Sequence, residues 1–375
     1  MNELFKSFTP GKRLVTAPRL KIEKRYIYLA AGVSILTLLA VFHLPINNSV
    51  TVPRGEMLAA ARRMEEAIDA LRSYRKKSGL SIDRTVDPNF TGLIGKERTK
   101  LTTTLGDLEA KRTTTNPNFA SLMVLLMKEA GVTETETVAI GASGSFPGAI
   151  VATVAAVEAI GARPVIIYSL GSSMWGANLE ELTILEVHDL LRRRGIITSK
   201  VEAASPGGRG DVAADMSEET RELLISKIEE SEASLVLSPS LRDSVRERME
   251  IYHRKSPGEI QAFVNIGGAA ANMGTSPTIL QLNPGINRPK KLPPREKRGV
   301  IYSMAAEDVP VVHILNLKGL ALKYQLSWDP VPLPSPGEGA IFDERANKPV
   351  LFWLVFAGYF AVLAPGLGFL YRTRG

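Results

Sequence analysis

Residues 137–170 read TVAIGASGSFPGAIVATVAAVEAIGARPVIIYSL, and this stretch decides the fold class. Residues 137–141 form a short apolar run that ends in a glycine turn, residues 148–160 form an Ala- and Val-rich helical segment, and residues 164–170 form a second apolar run. Near-continuous apolar strands joined by a helix are typical of a parallel sheet that is covered on both faces. The stretch therefore predicts a βαβ unit.

The alternation of helices and strands extends in both directions from this unit. Helical patterns are predicted at residues 55–77, 117–130, 182–194, 217–231 and 241–252. Further apolar strands are predicted at residues 234–237, 262–266 and 309–315. Strands that alternate with helices in this way predict an α/β domain with a doubly wound, mostly parallel sheet.

Long apolar runs lie near both ends of the chain, at residues 27–44 and 350–371. Each is long enough to cross a hydrocarbon core of about 30 Å as a helix. For the first run the alternative is a cleaved signal peptide, although no small-x-small cleavage site follows it. For both runs the other alternative is a buried core helix. We predict one N-terminal and one C-terminal transmembrane helix.

The net charge of +7 is located at the two ends of the chain. Seven basic and two acidic residues precede Pro45, and Arg372 and Arg374 follow Pro349, so the body between them is neutral. A neutral body argues against nucleic-acid binding. Positive charge remains on the cytoplasmic side of a membrane. We therefore expect both termini in the cytoplasm and an extracytoplasmic body at the outer face of the cytoplasmic membrane.

These patterns predict seven segments along the chain. They are a cytoplasmic basic tail (1–26), a transmembrane helix (27–44), a helical and Thr-rich extracytoplasmic segment (45–131), an extracytoplasmic α/β domain (132–328), a Pro-rich linker (329–349), a second transmembrane helix (350–371) and a cytoplasmic tail (372–375). Residues 87–116, within the third segment, have few apolar side chains and are not expected to contribute to the core.

Three predicted strand ends carry Gly, Ser and Asn, at residues 141–148, 171–176 and 265–274. In an open parallel sheet, ligands bind outside the carboxyl ends of the strands. The alternative is that these residues only close ordinary turns between strands and helices. The ligand-binding candidates are Gly141, Gly144, Gly171, Ser172, Ser173, Trp175, Asn265, Gly267, Gly268 and Asn272.

The first of these loops also contains candidate nucleophiles. Residues 141–145 read GASGS, which is similar to a G-x-S-x-G nucleophile elbow except that Ser145 replaces the last glycine. Ser143 and Ser145 are therefore candidate catalytic residues. A serine hydrolase also needs a base, for which His188 is the candidate. His188 and His313 both fit structural roles in the core as well.

A Thr-rich segment supplies cations and hydroxyl groups together. Lys96, Arg98, Lys111 and Arg112 lie around two Thr triplets, and this mixture suits the binding of carboxylates. The alternative is an ordinary solvated surface stretch.

Several other chemistries are excluded by composition and motif. The chain has no cysteine, which rules out disulfides, a thiolate nucleophile and cysteine-ligated metals. It contains no P-loop and no H-E-x-x-H, and no G-x-G-x-x-G follows a predicted strand. We expect no cofactor and no metal.

Five stretches of the chain resemble the poly-gamma-glutamate system protein family. They are Ser143–Gly148, Gly171–Ala177, Asp87–Gly95, the Thr triplets around Ala110–Arg112, and Asn265–Gly268. The resemblance covers roughly residues 56–316 and implies an accessory role in bacterial poly-gamma-glutamate (capsule polymer) synthesis or export. It implies poly-gamma-glutamate, membrane synthase subunits and the lipid bilayer as partners. The body is then expected to bind or guide the polymer; the alternatives are a serine-dependent gamma-glutamyl hydrolase or transferase, and a structural subunit of a membrane complex.

Overall fold

The computed structural model describes residues 28, 30–35, 37, 49–50, 53–343, 345–346 and 357–360. Residues 52–343 form one compact unit, which is called the body below. Its strands are β1 (Thr102–Thr104), β2 (Thr137–Ser143), β3 (Arg163–Ser169), β4 (Ser172–Ser173), β5 (Asn178–Leu179), β6 (Leu182–Thr183), β7 (Val201–Ser205), β8 (Ser234–Leu235), β9 (Ile260–Ile266), β10 (Gly285–Asn287) and β11 (Val311–Ile314). Its helices are α1 (Arg54–Lys77), α2 (Leu108–Thr113), α3 (Asn118–Ala130), α4 (Pro147–Ile160), α5 (Ile184–Arg193), α6 (Glu218–Glu229), α7 (Leu241–Lys255), α8 (Ala270–Met273), α9 (Val300–Ala305) and α10 (Leu317–Tyr324).

A seven-stranded sheet with the order β10-β11-β9-β2-β3-β7-β8 forms the centre of the body. Every neighbouring pair is parallel except β10 with β11, which is antiparallel at one edge. The central strand β2 pairs with β3 from Thr137 opposite Arg163, and with β9 from Thr137 opposite Ile260. The predicted α/β fold with a mostly parallel sheet is confirmed.

Alternate side chains of the strands enter two separate hydrophobic cores. Val138 and Ile140 pack with α1, α3 and α4 in one core, whereas Ala139 packs with α7 and α9 in the other. Because side chains of a strand point to opposite faces in turn, helices must cover both sides of this sheet. The continuous apolar runs that identified the strands in the sequence follow from this double coverage.

Capping residues define where several of the helices begin and end. Thr183 and Glu186 form a reciprocal capping box at the start of α5. Gly131 and Gly161 end α3 and α4 with φ values of +93° and +80°, which side chains with a Cβ rarely adopt.

The structure differs from the sequence-based picture in two details. Strands β7 and β10 were not predicted, because β7 is short and carries Glu202 and β10 covers only three residues. The expectation that residues 87–116 stay out of the core is wrong, since Leu93, Ile94 and Leu101 are all buried. Residues 329–343, which begin the predicted Pro-rich linker, belong to the body, and Asn118 Nδ2 donates to the carbonyl of Ser335 there at 2.9 Å.

The terminal segments, residues 1–51 and 344–375, form a second unit. Within it, Ser49–Val50 pairs antiparallel with Arg345–Ala346, and Ser34 Oγ lies 3.1 Å from Tyr359 Oη. Most of the two predicted transmembrane runs, 27–44 and 350–371, falls outside the described residues. Among the residues that are described, no helix is both long enough and apolar enough to cross a membrane.

Candidate functional site

The three loops singled out in the sequence meet at one cavity of about 580 Å³. They follow β2, β3 and β9, which are neighbours in the sheet and end at the same edge because they are parallel. The loop residues that line the cavity are Ser143, Ser145, Phe146, Gly171, Ser173, Gly268, Ala269 and Ala270. The cavity therefore lies where ligands bind in open α/β sheets.

The first Thr triplet forms a wall of this cavity. It forms strand β1, which pairs in parallel with β4, and Thr103 Oγ1 donates to the carbonyl of Ser172 at 3.2 Å. Residues 103–107 all line the cavity. The Thr-rich segment and the serine loops, far apart in the sequence, thus belong to one site.

Lys111 lies behind the cavity wall and is only 1% exposed. Its Nζ donates to the carbonyl of Ser145, lies 2.6 Å from Ser173 Oγ, and sits 4.3 Å from the centroid of the Phe146 ring. Burial lowers the pKa of Lys111 to about 7, and the nearby carboxylate of Asp107 opposes this change. A buried lysine in this state exchanges a proton near neutral pH.

Ser143 and Ser145 both line the cavity but differ in their contacts. Ser145 Oγ accepts a hydrogen bond from the backbone N–H of Ser173 at 3.1 Å. Ser143 Oγ is buried and has no hydrogen-bond partner within the described part of the chain. Ser172 Oγ donates to the carbonyl of Gly144 at 3.0 Å and so ties the first two loops together.

The structure does not bring His188 to these serines. Its Nδ1 lies 3.0 Å from Tyr168 Oη and its Nε2 lies 2.9 Å from the carbonyl of Ser199. Burial lowers the pKa of His188. It is not among the residues that line the cavity, so the predicted pairing of His188 with Ser143 or Ser145 is not formed.

The asparagines of the third loop pack behind the cavity. Asn265 donates to the carbonyl of Gly267 at 2.9 Å and accepts from Asn272 Nδ2 at 2.9 Å. Asn265 Nδ2 also lies 3.1 Å from His313 Nδ1, and burial lowers the pKa of His313 to about 4. A Cβ on Gly141 would lie 2.7 Å from Asn272 Nδ2, so the first loop needs glycine there.

The four predicted cations do not form one binding surface. The Lys96 and Arg98 side chains are exposed, and neither residue lines the cavity. Arg112 forms a two-pronged ion pair with Asp329, with Nε 2.6 Å from Oδ1, which raises the pKa of Arg112. Trp175 donates its backbone N–H to the carbonyl of Lys96 at 2.8 Å and holds that loop in place. Of the four cations, Lys111 is the one that reaches the serines.

Sequence reasoning missed a charged group beneath the cavity floor. Arg248 is fully buried and its Nη2 lies 2.8 Å from Asp211 Oδ2. Ser169, which lines the cavity, donates to Asp211 Oδ1 at 2.9 Å. The signal in the sequence was the glycine-rich run PGGRGD at residues 206–211, which directly follows the strand that was not predicted.

Within the described residues, no cluster of three or more His, Asp or Glu side chains is arranged to hold a metal ion. The remaining ionisable groups on the cavity lining are Asp107, Arg209 and Asp215.

No protein-family model, no curated protein and no solved structure matches this chain.

Proposed function

We propose that this protein is a membrane-anchored accessory of poly-gamma-glutamate synthesis or export, and that its extracytoplasmic body holds a gamma-glutamyl chain in the loop cavity. The observation that carries the proposal is the meeting of the three loops and the Thr-rich wall around about 580 Å³. Pockets of a few hundred Å³ hold ligands of a few residues. The polymer itself is proposed from the sequence resemblance.

The lining suits a chain of amides and carboxylates. The hydroxyl groups of Ser143 and Ser145 line the cavity and can donate to the amide and carboxylate oxygens of such a chain. The lining also carries two carboxylates, Asp107 and Asp215, beside the single guanidinium of Arg209. We therefore expect binding mainly through hydrogen bonds, with a modest dependence on salt.

The proposed location rests on the charges of the two tails. The basic residues before Pro45 and after Pro349 would keep both termini in the cytoplasm, with the neutral body outside. A polymer made at the cytoplasmic membrane and released outside would then meet the body as it emerges. Two alternatives remain open: a gamma-glutamyl hydrolase or transferase, and a structural subunit of a membrane complex that binds no polymer.

Filling the cavity from Gly268 tests the proposal. Gly268 lines the cavity, and a Cβ placed on it meets no atom within 4 Å, so Gly268→Leu adds bulk without straining the fold. We expect this substitution to weaken binding of a fluorescent poly-gamma-glutamate oligomer by at least about tenfold, which corresponds to ~1.4 kcal/mol. Binding is measured by fluorescence anisotropy on the full chain in detergent.

Gly258→Leu is the matched control. Gly258 is also exposed with open space around its Cβ position, and it does not line the cavity. It is expected to bind the oligomer as the wild type does. Equal affinity in the two variants would place the polymer elsewhere, and no binding by the wild type would favour the structural-subunit alternative.

A further inference from the structure

The side chains of Lys111 and Ser173 meet at the cavity wall, although 62 positions separate them in the chain. Nζ of Lys111 and Oγ of Ser173 are 2.6 Å apart, and Ser173, which lines the cavity, is 6% exposed. A nucleophile and a base within hydrogen-bond reach of each other are the geometric signature of covalent catalysis, and serine with lysine is one known form of it.

The surroundings of Lys111 favour its neutral amine. The Phe146 ring covers Nζ, the residue is almost completely buried, and its pKa falls to about 7. Asp107 is the ionisable neighbour that acts on Lys111, while Arg209 and Asp215 complete the ionisable lining of the cavity. As a neutral amine, Nζ donates one hydrogen to the Ser145 carbonyl and keeps a lone pair that can accept the Ser173 hydroxyl proton.

Neighbouring contacts identify Ser173, rather than Ser143 or Ser145, as the nucleophile. Ser145 holds the arrangement in place, because its carbonyl accepts from Lys111 and its Oγ accepts from the Ser173 backbone N–H. Ser143 Oγ has no hydrogen-bond partner within the described residues, and so no base in contact. Ser145 of the elbow-like motif thus positions Lys111 and Ser173 and is not itself the nucleophile.

We propose that Ser173 and Lys111 form a nucleophile–base pair that cleaves or transfers gamma-glutamyl amides in the loop cavity. The choice of a gamma-glutamyl substrate rests on the proposed function, whereas the pairing of serine with lysine rests on the contacts alone.

The proposed reaction has two steps that balance. Ser173 Oγ attacks the amide carbonyl carbon while Lys111 Nζ takes the hydroxyl proton; the C–N bond then breaks and Lys111 gives that proton to the departing amine. An acyl ester on Ser173 remains. In the second step, water or an acceptor amine attacks this ester, Lys111 takes its proton, and the proton returns to Ser173 Oγ as the ester bond breaks. Water gives hydrolysis and an amine gives transfer.

A serine-reactive phosphonofluoridate probe tests the pair on the full chain in detergent. We expect a covalent adduct that peptide mass mapping places on Ser173. Ser173→Ala and Lys111→Met are expected to slow labelling at least about 100-fold, the range for loss of a nucleophile or its base. Ser73→Ala and Lys76→Met, on the exposed side of α1, are the matched controls and are expected to label at the wild-type rate.

The pH dependence of labelling gives a readout that needs no variant. Because the neutral amine is the active base, the wild-type rate is expected to rise about tenfold between about pH 6 and pH 8, with a midpoint near the pKa of Lys111, about 7. A purely structural lysine would not produce this profile.

Release of the chromophore from a gamma-glutamyl anilide, measured beside polymer binding, separates the two proposals. Labelling and anilide turnover that both depend on Ser173 and Lys111 would support the pair and its substrate. Polymer binding with no labelling, or with labelling at Ser143 or Ser145, would overturn the pair and leave the proposed function standing. Labelling at Ser173 without anilide turnover or polymer binding would support the pair and overturn the gamma-glutamyl assignment.

Discussion

Asp211→Asn is expected to lower the free energy of unfolding by about 3–5 kcal/mol, because it leaves the buried Arg248 guanidinium without a counter-charge. Both side chains are buried, at 1% and 0% exposure, and Nη2 of Arg248 lies 2.8 Å from Asp211 Oδ2. Ser205 and Ser244 also donate to the Asp211 carboxylate, at 2.7 and 2.6 Å. Asparagine keeps the size of the side chain and tolerates the backbone φ of +68° at this position, so the backbone is not strained. The change removes the negative charge and replaces one of the two acceptor oxygens with an NH2 donor.

Urea unfolding of the full chain in detergent, followed by tryptophan fluorescence, measures this loss. Asp189→Asn is the matched control, since Asp189 forms ion pairs with Arg192 and Arg193 on the exposed side of α5. Such surface pairs contribute less than about 1 kcal/mol. A loss at Asp211 no larger than that at Asp189 would show that the Arg248 charge is neutralised or solvated by other means.

Lys111→Met is expected to make the protein more stable near neutral pH, by about 2–3 kcal/mol. Burial lowers the pKa of Lys111 from 10.5 to about 7. A pKa difference of this size means that burying the charged lysine destabilises the folded protein by ~4–5 kcal/mol. The substitution also removes the hydrogen bonds from Lys111 to Ser145 and Ser173, and each lost bond destabilises the variant by about 1 kcal/mol. Methionine has a similar length and carries no charge.

The stability gain of Lys111→Met is expected to depend on pH with a defined sign. Between about pH 7 and pH 10.5 the unfolded chain holds a proton on Lys111 that the folded protein has released, so wild-type stability from this group rises with pH. The advantage of the variant is therefore full below about pH 7 and falls to zero near about pH 9, where the cost of the shifted pKa equals the ~2 kcal/mol of lost hydrogen bonds. Above that pH the wild type is expected to be the more stable of the two. Urea unfolding of wild type and variant at several pH values measures the difference, in which other titrating groups cancel.

Lys76→Met is the control for this measurement and is expected to change the free energy of unfolding by no more than about 0.5 kcal/mol, because Lys76 is exposed on α1. A Lys111→Met variant less stable than the wild type at pH 7 would mean that the ammonium is well solvated in the fold. A stable variant that fails to react with the phosphonofluoridate would exclude unfolding as the cause of that failure.

The sheet and its loops could be predicted because their signals are local. The short apolar run at residues 137–141 predicts β2, which extends to Ser143 in the structure, and the loops after β2, β3 and β9 come together because parallel strands end at one edge. Strand β7 was not predicted because its five residues, VEAAS, carry a charge and only one β-branched side chain.

The contacts of the site could not be predicted, because they depend on packing between distant segments. Lys111 is charged and follows a Thr-rich stretch, which favoured a surface position, yet the six-residue helix α2 places it under the serine loops. Arg112, its neighbour in the sequence, points instead to Asp329. Adjacent residues of a helix face different directions. Lys111 therefore contacts the serine loops at the cavity, whereas Arg112 forms its ion pair with a distant loop.

The pairing of β2 with β9 also sets the order in which the body can be completed. Thr137 of β2 pairs with Ile260 of β9. The central strand β2 therefore gains this second neighbour only after the long segment between them has been synthesised and has folded back. Sheets dominated by such distant pairings fold slowly, because chain entropy is lost before the contacts form. The third loop of the cavity follows β9 directly, so a nascent chain that ends before Ile266 exposes an apolar strand edge and has no finished cavity.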